Sequence, residues 1–183
     1  MRLKRIIQLF SKIRIAFSVS ESSRAALLVR EYKREGMKIG NNTHFFSTVK
    51  IGEPYLVTIG SNSTVAGNVC LLTHDASIGT QVNRERYSDL CGRISIGNNC
   101  FIGYGSIIMY GVHIPDNVIV AAGSVVTKSI NESGIIVGGN PARVIGSVEE
   151  FKNKYANYFL SLHGKDKETK KSIILESEKL VER

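Results

Sequence analysis

The sequence predicts an all-β core, built as a parallel coil of six-residue repeats, with helical segments before and after it. The first observation is a periodicity, because an apolar residue recurs at every sixth position in two runs. The runs are Ile39, Phe45, Ile51, Val57, then after a shift of two positions Ile59, Val65, Leu71, and later Ile96, Ile102, Ile108, Ile114, Val120, Val126. A period of six fits neither the 3.6-residue turn of an α-helix nor the alternation of an ordinary sheet. Short strands joined by regular corners and stacked coil on coil do fit it.

The second observation is the type of residue at the corners of each repeat. The residue after the apolar one is small or turn-forming: Gly40, Gly52, Gly60, Ala66, Gly97, Gly103, Pro115 and Ala121. Two positions further on stands Asn or Gly: Asn42, Asn62, Asn68, Asn99, Gly105, Gly111, Asn117 and Gly123. These residues adopt a positive φ at low cost, so each repeat is predicted to contain a turn with one left-handed residue.

The chain divides into three parts around this coil. Residues 1–38 form a basic N-terminal segment, predicted to be helical over 21–35 and stopped by Gly36. Residues 39–146 form the coil.

Apolar residues before position 20 share one helical face, which favours packing as a cap or an oligomer contact, with membrane attachment as the alternative. They are Ile6, Phe10, Ile13 and Phe17.

The third part, residues 147–183, is a C-terminal helical segment. Ser147 and Glu150 have the S-x-x-E spacing of a capping box at the start of a helix predicted over 147–162. Its apolar residues fall on one face, so this helix is expected to cap the open end of the coil. They are Val148, Phe151, Tyr155, Phe159 and Leu162. A second, more solvated helix is predicted over 166–182.

Charge and cysteine content narrow the class of protein. Residues 1–38 hold ten Lys/Arg against three Asp/Glu, whereas residues 39–146 hold six of each. A nucleic-acid-binding domain carries its basic residues on the folded reading surface, so this distribution points away from nucleic acid and towards an anionic membrane surface. The three cysteines lack C-x-x-C spacing, which predicts free thiols in a cytoplasmic protein. No apolar run is long enough to span a membrane, and the N-terminus is expected to belong to the mature protein.

The repeat loses its phase between Leu71 and Ile96, which are 25 residues apart, one more than four repeats. Residues 73–95 are therefore predicted to leave the coil as a loop, and long loops in compact domains often carry function. His74 stands at the root of this loop, where the coil holds it and solvent reaches it. From the residues alone, His74 is either an acid–base group or a histidine that hydrogen-bonds the loop base.

Several segments resemble a known family. "IGNNTH", "IGSNST", "IGNNCF", "IGYGSI" and "IPDNVI" resemble units of the hexapeptide-repeat acyltransferases, over roughly residues 39–146. The stretch "VIVAAGSVVTKSI…GIIVGGNPARVIG" is similar to the closing segment of acetyl-CoA-dependent members. The resemblance implies a left-handed parallel β-helix, acetyl-CoA as co-substrate, and a homotrimer whose active sites lie between neighbouring coils. "LLTHDASIG" resembles the form found in sugar O-acetyltransferases of polysaccharide biosynthesis.

The resemblance also implies roles for residues near the loop. His74 becomes the general base that takes a proton from a sugar hydroxyl as the hydroxyl attacks a thioester in a direct transfer. Asp75 is a candidate to orient the imidazole, although a turn-forming Asp is an equal interpretation, and Asp89 is its rival. A backbone N–H near Gly103 is a candidate oxyanion donor. The loop side chains Arg84, Arg86 and Tyr87 either touch the acceptor or are simply solvated.

The donor site is predicted from small and basic residues. Pantetheine needs small residues where it lies against the backbone, which favours Gly103, Gly105, Ala121, Ala122 and Gly123, although turn formation also explains them. Lys128 and Arg143 lie in the segment that resembles the coenzyme-binding end, and are assigned to the phosphates of the coenzyme.

Other functions stay open at this point. N-acetylation of an amino sugar or a xenobiotic acceptor needs the same base. A zinc-dependent hydratase of the γ-type carbonic anhydrase class is disfavoured, because such a site needs two histidines close in sequence and the four here are at least 30 residues apart. No metal is therefore predicted. A non-catalytic scaffold is disfavoured by His74 at the break in the repeat, together with Lys128 and Arg143.

Overall fold

The computed structural model describes residue 15 and residues 21–77, 79, 81, 89–162 and 164–181. The predicted apolar face before position 20 lies outside these residues, as do Arg84, Arg86 and Tyr87 of the loop. None of the described helices is long and apolar enough to cross a membrane.

Within the described residues, short parallel strands form three sheets, and these are the faces of the predicted coil. Face A contains β1 (Lys38–Ile39), β4 (Val57–Ile59), β9 (Ile94–Ile96) and β12 (His113–Ile114). Face B contains β2 (His44–Phe45), β5 (Thr64–Val65), β10 (Phe101–Ile102), β13 (Ile119–Val120), β15 (Ile135–Gly139) and β16 (Ala142–Ser147). Face C contains β3 (Lys50–Ile51), β6 (Cys70–Leu71), β11 (Ile107–Ile108) and β14 (Val125–Val126). A separate antiparallel pair consists of β7 (His74–Asp75) and β8 (Leu90–Cys91).

The chain visits the faces in the order A, B, C and then returns to A. We call the turn from face A to face B corner 1, the turn from B to C corner 2, and the turn from C back to A corner 3. The antiparallel pair β7–β8 projects from corner 3, because β7 follows β6 of face C and β8 precedes β9 of face A.

The strand register shows how many residues each coil uses. Val120 lies 18 residues after its partner Ile102, so a regular coil holds three repeats. Ile102 lies 37 residues after its partner Val65, because the loop leaves and re-enters the coil between them. Val65 lies 20 residues after Phe45, since a short 3₁₀ turn at Pro54–Leu56 enlarges the coil at corner 3. Both irregularities of the repeat therefore fall at the same corner.

The interior is the stacked column of apolar residues that the periodicity predicted. The buried members of the two runs are Ile39, Phe45, Val57, Ile59, Val65, Leu71, Ile96, Ile102, Ile108, Ile114, Val120 and Val126. Their burial stabilises the coil by about 25 cal/mol for each Å² of apolar surface removed from water. Every predicted left-handed residue has a positive φ: Asn42, Asn62, Asn68, Asn99, Asn117, Gly105, Gly111 and Gly123. The turns are thus confirmed along with the core.

Helix α1 (Glu21–Arg34) closes the N-terminal end of the coil. Leu28 is buried, and the ring of Tyr32 lies 4.9 Å from that of Phe45. The Tyr32 hydroxyl accepts a hydrogen bond of 2.8 Å from the backbone N–H of Val49. The helix ends before Gly36, whose φ of +97° favours glycine, as the sequence predicts.

Helix α2 (Val148–Tyr155) begins with the predicted capping box. The Ser147 hydroxyl accepts from the Glu150 backbone N–H at 3.1 Å, and the Glu150 carboxylate accepts from the Ser147 N–H at 3.0 Å. The helix is shorter than predicted and is followed by a 3₁₀ turn over Ala156–Tyr158. Helix α3 (Lys167–Leu175) begins after Asp166, whose carboxylate accepts from two backbone N–H groups.

The expectation that this C-terminal helix caps the coil is wrong, since none of the eight residues of α2 is buried. Strand β16 instead folds back antiparallel on β15, through the turn that contains the cis peptide Asn140–Pro141. A strand supplies backbone hydrogen bonds to an open sheet edge, and a helix cannot.

Candidate active site

Four side chains line corner 3 in successive coils. Each lies two residues after a paired residue of face C, and they are Glu53, Thr73, Tyr110 and Lys128. Because those strands are in register, the four positions form a row with about 4.8 Å between neighbouring coils. The loop leaves this row immediately after Thr73, so His74 projects from the same corner.

The imidazole of His74 is held against the preceding coil. Its Nδ1 lies 2.8 Å from Oε2 of Glu53, and 42% of the side chain is exposed. The ring passes close over Gly52, where a Cβ atom would lie 2.9 Å from the ring Cε1. A side chain at position 52 would therefore displace the ring.

The Glu53 carboxylate is itself fixed by a buried neighbour. The Thr73 hydroxyl donates to Oε2 of Glu53 and accepts from the Glu53 backbone N–H at 3.1 Å. Thr73 is almost completely buried. Hydrogen bonds from the Thr73 hydroxyl and, next, from His74 hold the pKa of the Glu53 carboxyl below its usual value. Glu53 is therefore an ionised acceptor near neutral pH.

This arrangement sets the protonation of the ring. Because an ionised carboxylate accepts at Nδ1, that nitrogen carries the proton in neutral His74, and Nε2 keeps a free lone pair. The hydrogen bond to Glu53, followed by the charge of Glu53, raises the pKa of His74 above its usual value. A partly exposed imidazole whose Nδ1 is oriented by a carboxylate, and whose Nε2 is unprotonated, is the arrangement of a general base.

The predicted orienting role of Asp75 is not what the geometry shows. Its carboxylate accepts from the Ser77 backbone N–H at 2.8 Å and from the Tyr110 hydroxyl at 3.1 Å. Asp75 is adjacent to His74 in an extended strand, so the two side chains point in opposite directions. Its rival Asp89 is exposed and adds to the raised pKa of His74 only after Glu53.

Sequence reasoning missed Glu53, although the repeat contained a signal for it. Glu53 lies in the shift of two positions that follows Ile51, and His74 lies in the break that follows Leu71. Ile51 and Leu71 are partners in adjacent strands, so the two interruptions stand one above the other.

Two of the predicted donor-site residues share a cavity. Lys128 and Arg143 both line a space of about 230 Å³ at the C-terminal end of the coil. Its apolar walls include Val126, Ile135 and Val137. Lys128 is also two coils from Thr73 in the row along corner 3, which is about 10 Å. A cavity lined by two cations and by the carboxylate of Glu132 therefore lies along the same edge of the coil as the histidine.

The predicted small residues lie elsewhere. Gly103, Gly105, Ala121 and Ala122 are at corner 2. A Cβ atom on Gly103 would lie 2.5 Å from the backbone nitrogen of Ala122, so this glycine is required for the stacking of coils. The Gly103 N–H itself is not free to bind an oxyanion, because it donates to the Val120 carbonyl at 2.8 Å. An oxyanion donor among the other backbone N–H groups near Gly103 stays a prediction.

In the part of the chain that the structure describes, no group of three or more His, Cys, Asp or Glu side chains could hold a metal ion.

Comparison with known proteins identifies the family. Protein CapG of Staphylococcus aureus is 40% identical over 127 residues, which cover 67% of this chain and 72% of that protein. Residues 93–128 match the family model described as the hexapeptide repeat of succinyl-transferase. The chain belongs to the hexapeptide-repeat acyltransferases. The family, the left-handed β-helix and the acyltransferase class predicted from sequence are confirmed.

Other relatives of this acyltransferase are sugar-modifying enzymes. Galactoside O-acetyltransferase of Escherichia coli (strain K12) is 38% identical over 119 residues, covering 64% of this chain and 57% of that enzyme. The crystal structure of a maltose O-acetyltransferase from Clostridium difficile 630 is 25% identical, with a TM-score of 0.56 over 75% of this chain and 84% of that one. A galactoside acetyltransferase in complex with coenzyme A has a TM-score of 0.58 at 22% identity, over 87% of this chain and 86% of that one.

Proposed function

We propose that this acyltransferase moves an acetyl group from acetyl-CoA to a hydroxyl of a sugar or glycan intermediate, with His74 as the general base. The observation that carries the proposal is the His74–Glu53 pair at the loop root, in which Glu53 occupies Nδ1 and 42% of the His74 side chain is exposed. The acceptor class is supported by the galactoside and maltose O-acetyltransferases among the relatives, and the donor by the relative in complex with coenzyme A.

The reaction is a direct transfer in two steps. Nε2 of His74 takes the proton of the acceptor hydroxyl as its oxygen attacks the thioester carbonyl carbon, which forms a tetrahedral oxyanion. The carbon–sulfur bond then breaks, and the imidazolium returns the proton to the departing coenzyme A thiolate. Glu53 stabilises the imidazolium between these steps. General-base catalysis of this kind contributes about 10²- to 10⁴-fold.

The coenzyme phosphates are assigned to Lys128 and Arg143. Both side chains are cationic and line one cavity, and phosphate binding by a pair of cations adds charge-assisted hydrogen bonds. The pantetheine arm would then run along corner 3 towards His74, across about two coils.

Replacing Lys128 or Arg143 by alanine is expected to raise the KM for acetyl-CoA about tenfold each, because a charge-assisted hydrogen bond is lost. The kcat at saturating donor should change little. Steady-state kinetics with Lys38→Ala, an exposed lysine of face A in the first coil, supply the matched control. A KM equal to that of the control would contradict the assignment.

The enzyme is further proposed to act as a homotrimer with sites between neighbouring coils. Gly103, Gly105, Ala121 and Ala122 are at corner 2 and His74 is at corner 3, so a groove that uses both sets needs a second copy. The outward side chains of faces B and C are apolar in the later coils, whereas face A presents Ser95 and His113. These apolar residues are Phe101, Ile107, Ile119 and Val125. The chain has a mass of 20.1 kDa, and sedimentation equilibrium should give three times that mass. A monomer would contradict the proposal.

We further propose that the enzyme lies in the cytoplasm, where its basic N-terminal segment contacts the inner membrane surface. The free state of all three cysteines supports a reducing compartment. Cell fractionation should recover the enzyme with the cytoplasm, or with membranes in a form that salt releases. Recovery in the periplasmic or secreted fraction would contradict this location.

The test of the proposed function is an acetyl-CoA consumption assay against simple sugars, nucleotide sugars and glycan fragments. Mass spectrometry of the product should show one added acetyl group, and mild base should release it, because an ester is hydrolysed where an amide is not. An acetyl group that resists base would identify N-acetylation instead. No turnover with any acceptor, and no rise in melting temperature with millimolar acetyl-CoA, would contradict the enzyme assignment.

A further inference from the structure

The root of the loop is anchored to the coils on both of its sides. His74 reaches back to Glu53 in the preceding coil, and the next residue, Asp75, reaches forward to Tyr110 in the following coil. Tyr110 stands two residues after the strand that pairs with Cys70–Leu71, as Thr73 stands two residues after Leu71, so it lies above Thr73 in the row along corner 3. Two consecutive residues of β7 are therefore tied to different coils.

The segment that returns from the loop, at Gly92, also contacts the coil that contains Tyr110. The Gly92 backbone N–H donates to the Thr73 carbonyl at 2.9 Å. A Cβ atom at Gly92 would lie 2.6 Å from the Gly111 nitrogen and 3.2 Å from the Tyr110 carbonyl carbon. The hairpin thus crosses the backbone of Tyr110 and Gly111 in direct contact.

The hairpin needs these anchors because its own pairing is small. Strands β7 and β8 contain two residues each, and an isolated two-stranded hairpin is marginal in water. The hydrogen bond from Tyr110 ends on a carboxylate that also accepts from Ser77, so it is charge-assisted and fixes the first turn of the loop. That hydrogen bond raises the pKa of Tyr110, which stays a donor at neutral pH.

We propose that Tyr110 is a positioning residue: through Asp75 it holds the loop root against the following coil and so keeps the His74 ring on Glu53. This inference rests on the proposed role of His74 for its effect on catalysis. Neither Tyr110 nor Asp75 takes a proton in the reaction. Without the Tyr110 hydroxyl, the loop root is held only by the His74–Glu53 contact, the short β7–β8 pairing and the Gly92 N–H on Thr73, and the ring samples orientations away from the donor.

The variant Tyr110→Phe removes only the hydroxyl. We expect kcat to fall about tenfold with an unchanged KM for acetyl-CoA, because small displacements of a catalytic group cost up to about 10²-fold. Asp75→Ala should lower kcat to the same extent, and the double variant should be no worse than either single one. Tyr158→Phe, in the exposed 3₁₀ turn after α2, is the matched control.

A second measurement does not depend on turnover. Nitrogen-15 NMR of the His74 ring should show an Nδ1-protonated tautomer in the native protein, and in Tyr110→Phe a mixture of tautomers with a pKa nearer the usual value. Native-like kcat and ring signals in Tyr110→Phe would overturn the proposal, as would a lower kcat with unaltered ring signals or losses that multiply in the double variant. If His74→Ala retains activity while Tyr110→Phe still shifts the ring signals, the proposed function fails and the positioning role stands.

Discussion

Replacement of His74 by alanine is expected to lower kcat by about 10²- to 10⁴-fold, because the acceptor hydroxyl then loses the group that takes its proton. The side chain is largely outside the core and its only polar partner in the described residues is Glu53, so the fold should be preserved. The measurements are steady-state kinetics and the melting temperature with and without acetyl-CoA.

The matched control for this experiment is His44→Ala. His44 is also exposed at the start of a two-residue strand, but on face B and away from corner 3. Its replacement should leave kcat unchanged. Retained activity in His74→Ala, or an equal loss in the control, would remove His74 from the mechanism.

Replacement of Glu53 is expected to have the second largest effect. Glu53→Ala should lower kcat by about 10- to 100-fold, because the ring loses both its orientation and the charge that stabilises the imidazolium. Glu53→Gln keeps an acceptor at the same place and removes only the charge, so its loss should be smaller. The difference between the two variants separates orientation from electrostatics.

The same variants should move the pH profile in a defined direction. The base works only when neutral, so activity falls as pH drops through the pKa of His74, which Glu53 raises. Removing the carboxylate lowers that pKa towards its usual value. The acid limb of kcat/KM should therefore shift to lower pH in Glu53→Gln, even though the plateau is lower. An unchanged acid limb would show that another group titrates there.

The repeat could be predicted from sequence because its structure depends on the preferences of residues within each unit. An apolar residue such as Ile102 is buried, and a residue such as Asn99 adopts a positive φ. The capping box at Ser147 could be predicted for the same reason: its partner, Glu150, is only three residues away. The position of His74 at the exit of the chain from the coil followed from the break in phase.

Contacts between coils could not be predicted from the local sequence. The partner of His74 is 21 residues earlier, and that spacing exists only because the 3₁₀ turn at corner 3 lengthens the first coil. Asp75, the neighbour in sequence, faces Tyr110, 35 residues later. The Gly103 N–H, in the region predicted to supply an oxyanion donor, is used by the coil above it.

The sequence by itself therefore determined the period, the inward residues, the corners and the place of the histidine, since each depends on the preferences of one short segment. The tertiary structure alone decided that Glu53 holds the ring, that Asp75 holds the loop and that Lys128 and Arg143 share a cavity. These pairings depend on which coil stacks on which, and the stacking is set by insertions at corner 3 that differ from one coil to the next.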